Sequence, residues 1–302
     1  MYDVTVLMAT FNGEKYLKEQ IVSVLKQEGV HVNLIVRDDG STDSTLAILD
    51  QFEKDGKLTW YRGDSVGPAL GFLKLLRDAP KADYYAFSDQ DDVWRAGKLK
   101  RGIELLETVS ATIPALYCSN YQLVDENLQA LPSNNHFTTT TFSESLVASC
   151  CTGCTMIFNN ALAEAVNAHE PVHIVMHDDW LHKVCLALGG RIFYDSRRTL
   201  EYRQHSDNVD GGIHSIQHRL FNVFSRIMNH NKNLDRSLQL QELLRLYGSR
   251  MPDENIKLLK DVAHYTSLRL AGRMKIINDP RLRTTSKNLN RGFQLAILFK
   301  YY

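Results

Sequence analysis

The chain opens on Val4-Thr5-Val6-Leu7-Met8, a short β-branched apolar run of the kind that forms a strand buried on both faces. Ala9-Thr10-Phe11-Asn12-Gly13 breaks it. From Glu14 to Glu28, Leu17, Ile21, Val24 and Leu25 share one helical face, and Gly29 ends the helix. A second strand is predicted over Val32–Val36. Strand, helix and strand at these lengths make a βαβ unit with parallel strands. More strands are predicted at Leu58–Arg62, Tyr84–Phe87, Leu116–Asn120, Thr155–Phe158 and Thr199–Gln204. Helices are predicted around Leu46–Phe52, at Ala69–Arg77 and Lys98–Val109, and from Met176 with Leu181, Val184, Cys185 and Leu188 inward. Asn127–Glu144 is polar and reads either as a loop over a site or as plain surface.

Beyond Gly211-Gly212 the pattern becomes helical, with stripes at Leu220, Val223, Phe224 and Ile227, at Leu238, Leu243, Leu244 and Leu246, and over Ile256–Leu270. The expected organisation is therefore an α/β domain over 1–212 and a helical region over 213–302. Charge sharpens the division. The 35 basic and 35 acidic residues balance overall, yet residues 213–302 hold 16 Lys/Arg against 6 Asp/Glu. Such faces are solvated by default. Beside apolar stripes, and ending in Phe293-Gln294-Leu295-Ala296-Ile297-Leu298-Phe299-Lys300, they also suit contact with anionic lipid headgroups, an acceptor or another copy of the chain. Nucleic acid is disfavoured, because no helix–turn–helix or aromatic-studded sheet accompanies the charge.

A hydrophobic content of 44% supports a substantial core, and no run of eighteen apolar residues is present to span a bilayer. The N-terminus lacks the basic-then-apolar order of a signal peptide, so the expected location is the cytoplasm, with peripheral contact at the inner face of the plasma membrane. Five cysteines, mostly within apolar runs, fit reduced buried thiols. Cys150-Cys151-Thr152-Gly153-Cys154 has no second Cys or His pair at finger spacing, which weighs against zinc.

Three acidic stretches carry candidate chemistry. Phe87-Ser88-Asp89-Gln90-Asp91-Asp92-Val93-Trp94 follows a predicted buried strand, and clustered carboxylates there call for a hard divalent cation or, more blandly, cap a helix starting near Arg95. Asp38 and Asp39 end the second strand, where open α/β sheets bind ligands, while Thr42 and Asp43 read as N-capping residues. Met176-His177-Asp178-Asp179-Trp180 starts a helix. Acids suit a helix N-terminus, but a carboxylate beside an aromatic ring also gains basicity. His205 follows a polar strand end and could serve a metal or phosphates.

Thr10-Phe11-Asn12-Gly13, Asp38-Asp39-Gly40-Ser41-Thr42-Asp43, Ser88-Asp89-Gln90-Asp91-Asp92 and His177-Asp178-Asp179-Trp180 resemble, in order and spacing, the GT-A glycosyltransferases of family 2. The resemblance reaches to about His205. With Thr152-Gly153-Cys154-Thr155-Met156 and Tyr202-Arg203-Gln204-His205, it points to the bacterial rhamnosyltransferase-like branch of polysaccharide assembly. It implies a Rossmann-like nucleotide-sugar-binding domain with a mostly parallel sheet, and a dTDP-sugar or UDP-sugar donor. Ala9, Thr10, Asn12, Asp39, Gly67 and Asp89 are the implied nucleotide-sugar contacts. Asp91, Asp89 and His205 are the implied ligands of Mn²⁺ or Mg²⁺, and Asp178 is the implied general base, with Asp179 as its alternative. The implied reaction is an inverting transfer, of L-rhamnose or a UDP-linked hexose or N-acetylhexosamine, to a lipid-linked glycan. One departure is Gly71, where many relatives carry Asn. A sugar-1-phosphate nucleotidyltransferase would want a Gly-rich basic loop after the first strand, which is absent. A non-catalytic sugar-nucleotide binder would have no need of both the acid pair and the candidate base.

Overall fold

The computed structural model describes residues 1–132, 137–205 and 236–302. An eight-stranded, mostly parallel sheet organises the chain. Its strands are β1 (Tyr2–Thr10), β2 (Val30–Asp38), β3 (Thr59–Arg62), β4 (Tyr84–Ser88), β5 (Val93–Trp94), β6 (Ala115–Val124), β7 (Ile157–Asn159) and β8 (Arg191–Arg203). The spatial order is β3-β2-β1-β4-β7-β6-β8-β5. β2, β1 and β4 run parallel, in register from Tyr2 opposite Val30 to Thr10 opposite Asp38, so β1 and β2 end side by side. β7 is antiparallel to β4 and β6, and β5 is antiparallel to β8.

The period of two sorts the strand side chains onto two cores. Val4, Val6, Met8, Leu34, Val36 and Ala86 face a layer containing α1 (Leu17–Leu25), α2 (Thr45–Lys54) and α4 (Lys98–Leu106). Leu7, Ile35, Tyr85 and Phe87 face α3 (Pro68–Asp78), α6 (Asn160–Asn167) and α7 (His177–Ala187). The C-terminal helices α8 (Arg236–Tyr247), α9 (Asp253–Ala263), α10 (Leu270–Asn278) and α11 (Lys287–Phe299) join this second core through Leu240, Leu243, Tyr247, Leu259, Val262, Ile276 and Ile297. No helix among the described residues is long and apolar enough to cross a membrane.

Several expectations change. The acidic turn does not cap a helix near Arg95: β5 intervenes, and α4 starts at Lys98 behind Gly97, which makes no side-chain capping bond. α6 was not anticipated, because its stripe is short and Ala-rich. The polar stretch over Asn127–Glu144 contains a fully buried Thr139 and leads into a short helix, α5 (Phe142–Ser145), closed by a Thr141/Glu144 capping box. The helix expected over Ile256–Leu270 ends at Ala263, and a tight turn at Tyr265–Ser267 precedes α10. The stripe Leu220–Ile227 lies outside the described residues. In the terminal run Phe293, Ala296 and Ile297 turn inward, leaving Leu295 and Phe299 exposed.

Gly102 marks the tightest approach of α4 to the sheet. A Cβ there would overlap Ile157 Cδ1 and come within 2.9 Å of Tyr117 Cδ1. Gly102→Ala gains about 1 kcal/mol of helix propensity, but overpacking costs about 1–3 kcal/mol, and both neighbours are fully buried with nowhere to yield. A net loss of about 1 kcal/mol is expected, read as a lower denaturant midpoint with unchanged slope.

Candidate active site

The carboxyl ends of β1, β2 and β4 come together, and their loops are welded by short polar side chains. Thr10 Oγ1 donates to Asp38 Oδ1 at 3.1 Å, and Asp38 Oδ2 accepts from the backbone of Gly40 and Ser41 at 3.0 and 2.9 Å. Asn12 adopts the left-handed conformation (φ 48°); its N–H donates to Ser41 Oγ at 2.8 Å and its Oδ1 accepts from Thr42 N at 2.9 Å. Asn tolerates this φ better than most residues, because its amide bonds locally. The N-cap of α2 falls on Ser44, which makes no side-chain capping bond; Asp43 instead accepts from the N–H groups of Thr45 at 3.0 Å and Glu14 at 3.1 Å, and Thr42 is held by Asn12.

Asp39 remains beside the loop. Arg37 Nε donates to it at 2.7 Å, and Gly71 on α3 leaves it room, since a Cβ at that position would lie 3.0 Å from Asp39 Oδ2. The missing Asn at position 71 therefore coincides with a close approach to this carboxylate. Gly67, with φ 79°, starts α3, and Ala9 is a half-buried residue of β1.

Asp89, Asp91 and Asp92 follow β4. Between them Gln90 acts as a clamp: its Oε1 accepts from Phe11 N at 2.9 Å, its Nε2 donates to Phe11 O at 3.0 Å, and Gly13 leaves space for its amide. Arg203, at the end of β8, is buried and spans the site. Its Nε donates to Asp91 O at 2.8 Å, Nη1 to Glu126 O at 2.6 Å and Nη2 to Glu19, while its guanidinium lies 4.4 Å from the Tyr16 ring centroid. Asp92 Oδ1 accepts from Arg203 N at 3.3 Å; its Oδ2 is buried with no hydrogen-bond partner among the described residues. Oxygens of Asp89 and Asp92 and the sulfur of Cys154 lie within 4.8 Å of one another. His205 Nε2 approaches Asp91 Oδ2 at 2.8 Å.

Burial, then the charges of Asp91 and Asp178, push the Asp89 carboxyl up to about 7. Burial likewise drives Asp92 well above the usual carboxylate range. Lys98 answers from beneath: it is 1% exposed, donates to Cys154 O at 2.7 Å, lies 3.2 Å from the Trp94 ring centroid, and is pulled down to about 7 by burial. The His205 imidazole paired with Asp91, the raised Asp89 carboxyl and, beside them, the orphaned Asp92 oxygen make a donor set that fits a hard divalent cation.

The doubled acid at the start of α7 divides. Asp178 faces the loop before β7, with Oδ2 accepting from Gly153 N at 3.0 Å and Oδ1 from Asp179 N at 2.6 Å, and its charge bears on Asp89. Asp179 pairs with the buried Lys183 and accepts from Gln239 of α8. Burial opposes its ionisation, but the Lys183 and Arg236 charges hold its carboxyl down at about 2. His177 is a core residue, stacked on Phe72 with centroids 4.1 Å apart and kept neutral by burial. Gln90, Arg203 and Lys98 were not singled out from the sequence. Gln90 and Arg203 lay inside quoted motifs without an assigned role, while Lys98 only opened the helix predicted over Lys98–Val109.

Residues 5–166 match the model of Glycosyl transferase family 2. The chain belongs to this family. It is a glycosyltransferase with a GT-A fold, and the resemblance to the rhamnosyltransferase-like branch holds. It is 28% identical over 223 residues to the dTDP-rhamnosyl transferase RfbG of Shigella flexneri, covering 68% of this glycosyltransferase and 73% of RfbG. It is 36% identical over 105 residues to the putative teichuronic acid biosynthesis glycosyltransferase TuaG of Bacillus subtilis, 34% of this chain and 41% of that protein. The fold is similar to S. aureus TarS 1–349 in complex with UDP-GlcNAc (TM-score 0.59, 17% identity, 99% of this chain and 90% of that one). It is also similar to the mannosyltransferase PcManGT of Pyrobaculum calidifontis in complex with GDP-Man and Mn²⁺ (TM-score 0.54, 14% identity, 98% and 85%).

The raised Asp89 carboxyl has a thermodynamic consequence in metal-free buffer. An unfolded Asp titrates near ~3.9, so a folded value of about 7 favours the native state below about pH 4, and this contribution is lost as pH rises through about 7. Asp89→Asn removes the term. In EDTA its thermal midpoint, relative to the parent, is expected to rise steadily between pH 4 and 8; a gap independent of pH would show that Asp89 is not shifted.

Proposed function

We propose that this glycosyltransferase moves L-rhamnose from dTDP-rhamnose to a lipid-linked glycan in bacterial surface polysaccharide assembly, by a single displacement with inversion. The observation that carries the mechanism is the division of labour on α7. Asp179 is buried against Lys183 and Gln239, whereas Asp178 is half-buried and faces the acidic loop, its charge bearing on Asp89. The match to RfbG over most of both chains supports the choice of sugar. A UDP-linked hexose is the second reading, since another relative is a UDP-Glc-dependent β-1,3-glucosyltransferase of Escherichia coli, 29% identical over 126 residues.

The nucleoside half of the donor rests on the welded loops, with Asp39 as the acceptor for base N–H groups and Thr10 and Asn12 shaping the loop beneath it. Asp91, His205 and Asp89 would hold a divalent cation, whose charge would offset the negative charge growing on the departing diphosphate. Gln90 and Arg203 fix the backbone of this loop, so its carboxylates need no rearrangement as charge develops. Asp178 is oriented by the N–H groups of Gly153 and Asp179, and its carboxylate takes the acceptor hydroxyl proton as that oxygen attacks the anomeric carbon.

Asp178→Asn is expected to reduce transfer by at least ~100-fold while donor affinity stays near normal. Asp179→Asn breaks a buried ion pair and is expected to cost about 3–5 kcal/mol of stability. Loss of transfer in the second variant at full stability would reverse the assignment. EDTA is expected to abolish activity, and product NMR showing a retained anomeric configuration would rule out the single displacement.

The C-terminal helices supply a surface for a lipid-linked acceptor. Leu270, Met274, Leu295 and Phe299 are 56%, 39%, 47% and 66% exposed, and Arg291 and Lys300 flank the last two in sequence. This supports peripheral contact with an anionic membrane. Co-sedimentation with liposomes is expected to increase with anionic lipid and to fall in a Leu295→Ser, Phe299→Ser double variant; equal binding to neutral vesicles would remove the electrostatic part.

A further inference from the structure

Three of the five cysteines converge at a place the transfer chemistry does not use. Cys118 on β6 meets Cys150 and Cys151 from the segment after α5, and the three sulfurs lie within 4.8 Å of one another. Cys151 Sγ is 3.3 Å from Cys118 Sγ and 4.0 Å from Cys150 Sγ. A tetrahedral thiolate centre with Zn–S of about 2.3 Å places its sulfurs about 3.8 Å apart, so the observed separations bracket those of a filled site. Packing alone asks for no such focus on one point, and a disulfide would account for only two of the three.

The surroundings point the same way. His182 is fully buried; its Nε2 lies 2.9 Å from Thr139 O, the carbonyl that also receives the Cys150 thiol at 3.6 Å. With Nε2 as donor, Nδ1 carries the lone pair, and Nδ1 has no hydrogen-bond partner among the described residues. Cys150 is half-buried where the other two thiols are enclosed. One sulfur thus opens toward solvent and offers a path in.

We propose that Cys118, Cys150 and Cys151 form a binding site for a thiophilic divalent cation such as Zn²⁺, separate from the hard-cation site at Asp91. Binding exchanges thiol protons for metal–sulfur bonds and releases the protons to solvent, with no change of oxidation state. The sequence offers no finger-like pair near Cys150 because the third thiol comes from a sheet strand 32 residues upstream. The site staples the segment that continues directly into Gly153, whose N–H orients Asp178, and Cys154, whose carbonyl holds Lys98. A metal there fixes the backbone that presents the proposed base.

The test uses Cd²⁺ as a spectroscopic substitute for Zn²⁺ on the full chain. Titration is expected to produce an ultraviolet thiolate-to-metal charge-transfer band saturating at one Cd²⁺ per chain, and to raise the melting temperature. Cys150→Ser is expected to weaken binding at least tenfold, and Cys151→Ala to abolish the band. Cys154→Ala, beside the acidic loop, and Cys185→Ala, buried elsewhere, are expected to retain it. Circular dichroism of each variant separates loss of the site from loss of the fold. Absence of the band in folded parent protein overturns the proposal. So does a band that survives Cys150→Ser and Cys151→Ala but vanishes in Cys154→Ala, which would place the thiophilic ion at the acidic loop.

Discussion

Mutual repulsion among buried carboxylates is the constraint to which the rest of the structure answers. Asp89, Asp91, Asp92 and Asp178 converge at the carboxyl end of the sheet, where burial and neighbouring charge lift Asp89 to about 7 and Asp92 well above its ordinary range. Lys98 lies beneath them but is itself pulled down to about 7, and the Arg203 guanidinium is directed at Glu19 and two backbone carbonyls. Among the described residues such a site stays incompletely neutralised, and this imbalance suits a cation, as the proposed mechanism requires. Arg203, Gln90 and Lys98 hold the loop in place at a cost in stability that the two large cores absorb.

The second core explains why the C-terminal helices belong to the catalytic argument. Successive helix residues point about 100° apart, so at the start of α7 Asp178 meets the loop before β7 while Asp179 meets Lys183 and α8. The contact from Gln239 to Asp179 fixes the helix that carries Asp178. Loss of α8 would therefore disturb the proposed base without any contact to a substrate. The basic helical region thus bears on the site through packing.

The parallel strands β1, β2 and β4 were legible because runs such as Val4–Met8 and Tyr84–Phe87 are bounded by abrupt polar turns, and the position of the acids followed from those strand ends. Less legible was the short β5, whose two residues pair with β8 more than a hundred positions away. No local pattern announces such a contact. The same holds for Lys98. In sequence it is one more lysine on a helix, and only the fold places its ammonium under Asp89 and Asp92 and over Trp94. Charge composition suggested a lipid-facing tail, yet most of the apolar stripe is internal, since periodicity marks an apolar face without saying what covers it.

The segment from Cys150 to Thr155 joins these lines of argument. It is short and folded tightly, with Thr155 N and Met156 N bonded back to Thr152 and Gly153. Its backbone reaches Asp178 on one side and Lys98 on the other. Gly153 is required there because a Cβ would meet His177 Nε2 at 2.5 Å, and His177 is locked between Phe72 and Phe87. The buried histidine therefore works as a spacer that sets how closely this segment approaches α7. The proposed base is held by a backbone N–H whose position depends on a glycine, a neutral core histidine and, upstream, a cluster of thiols. Chemistry assigned to one carboxylate thus rests on packing that extends well into the hydrophobic core.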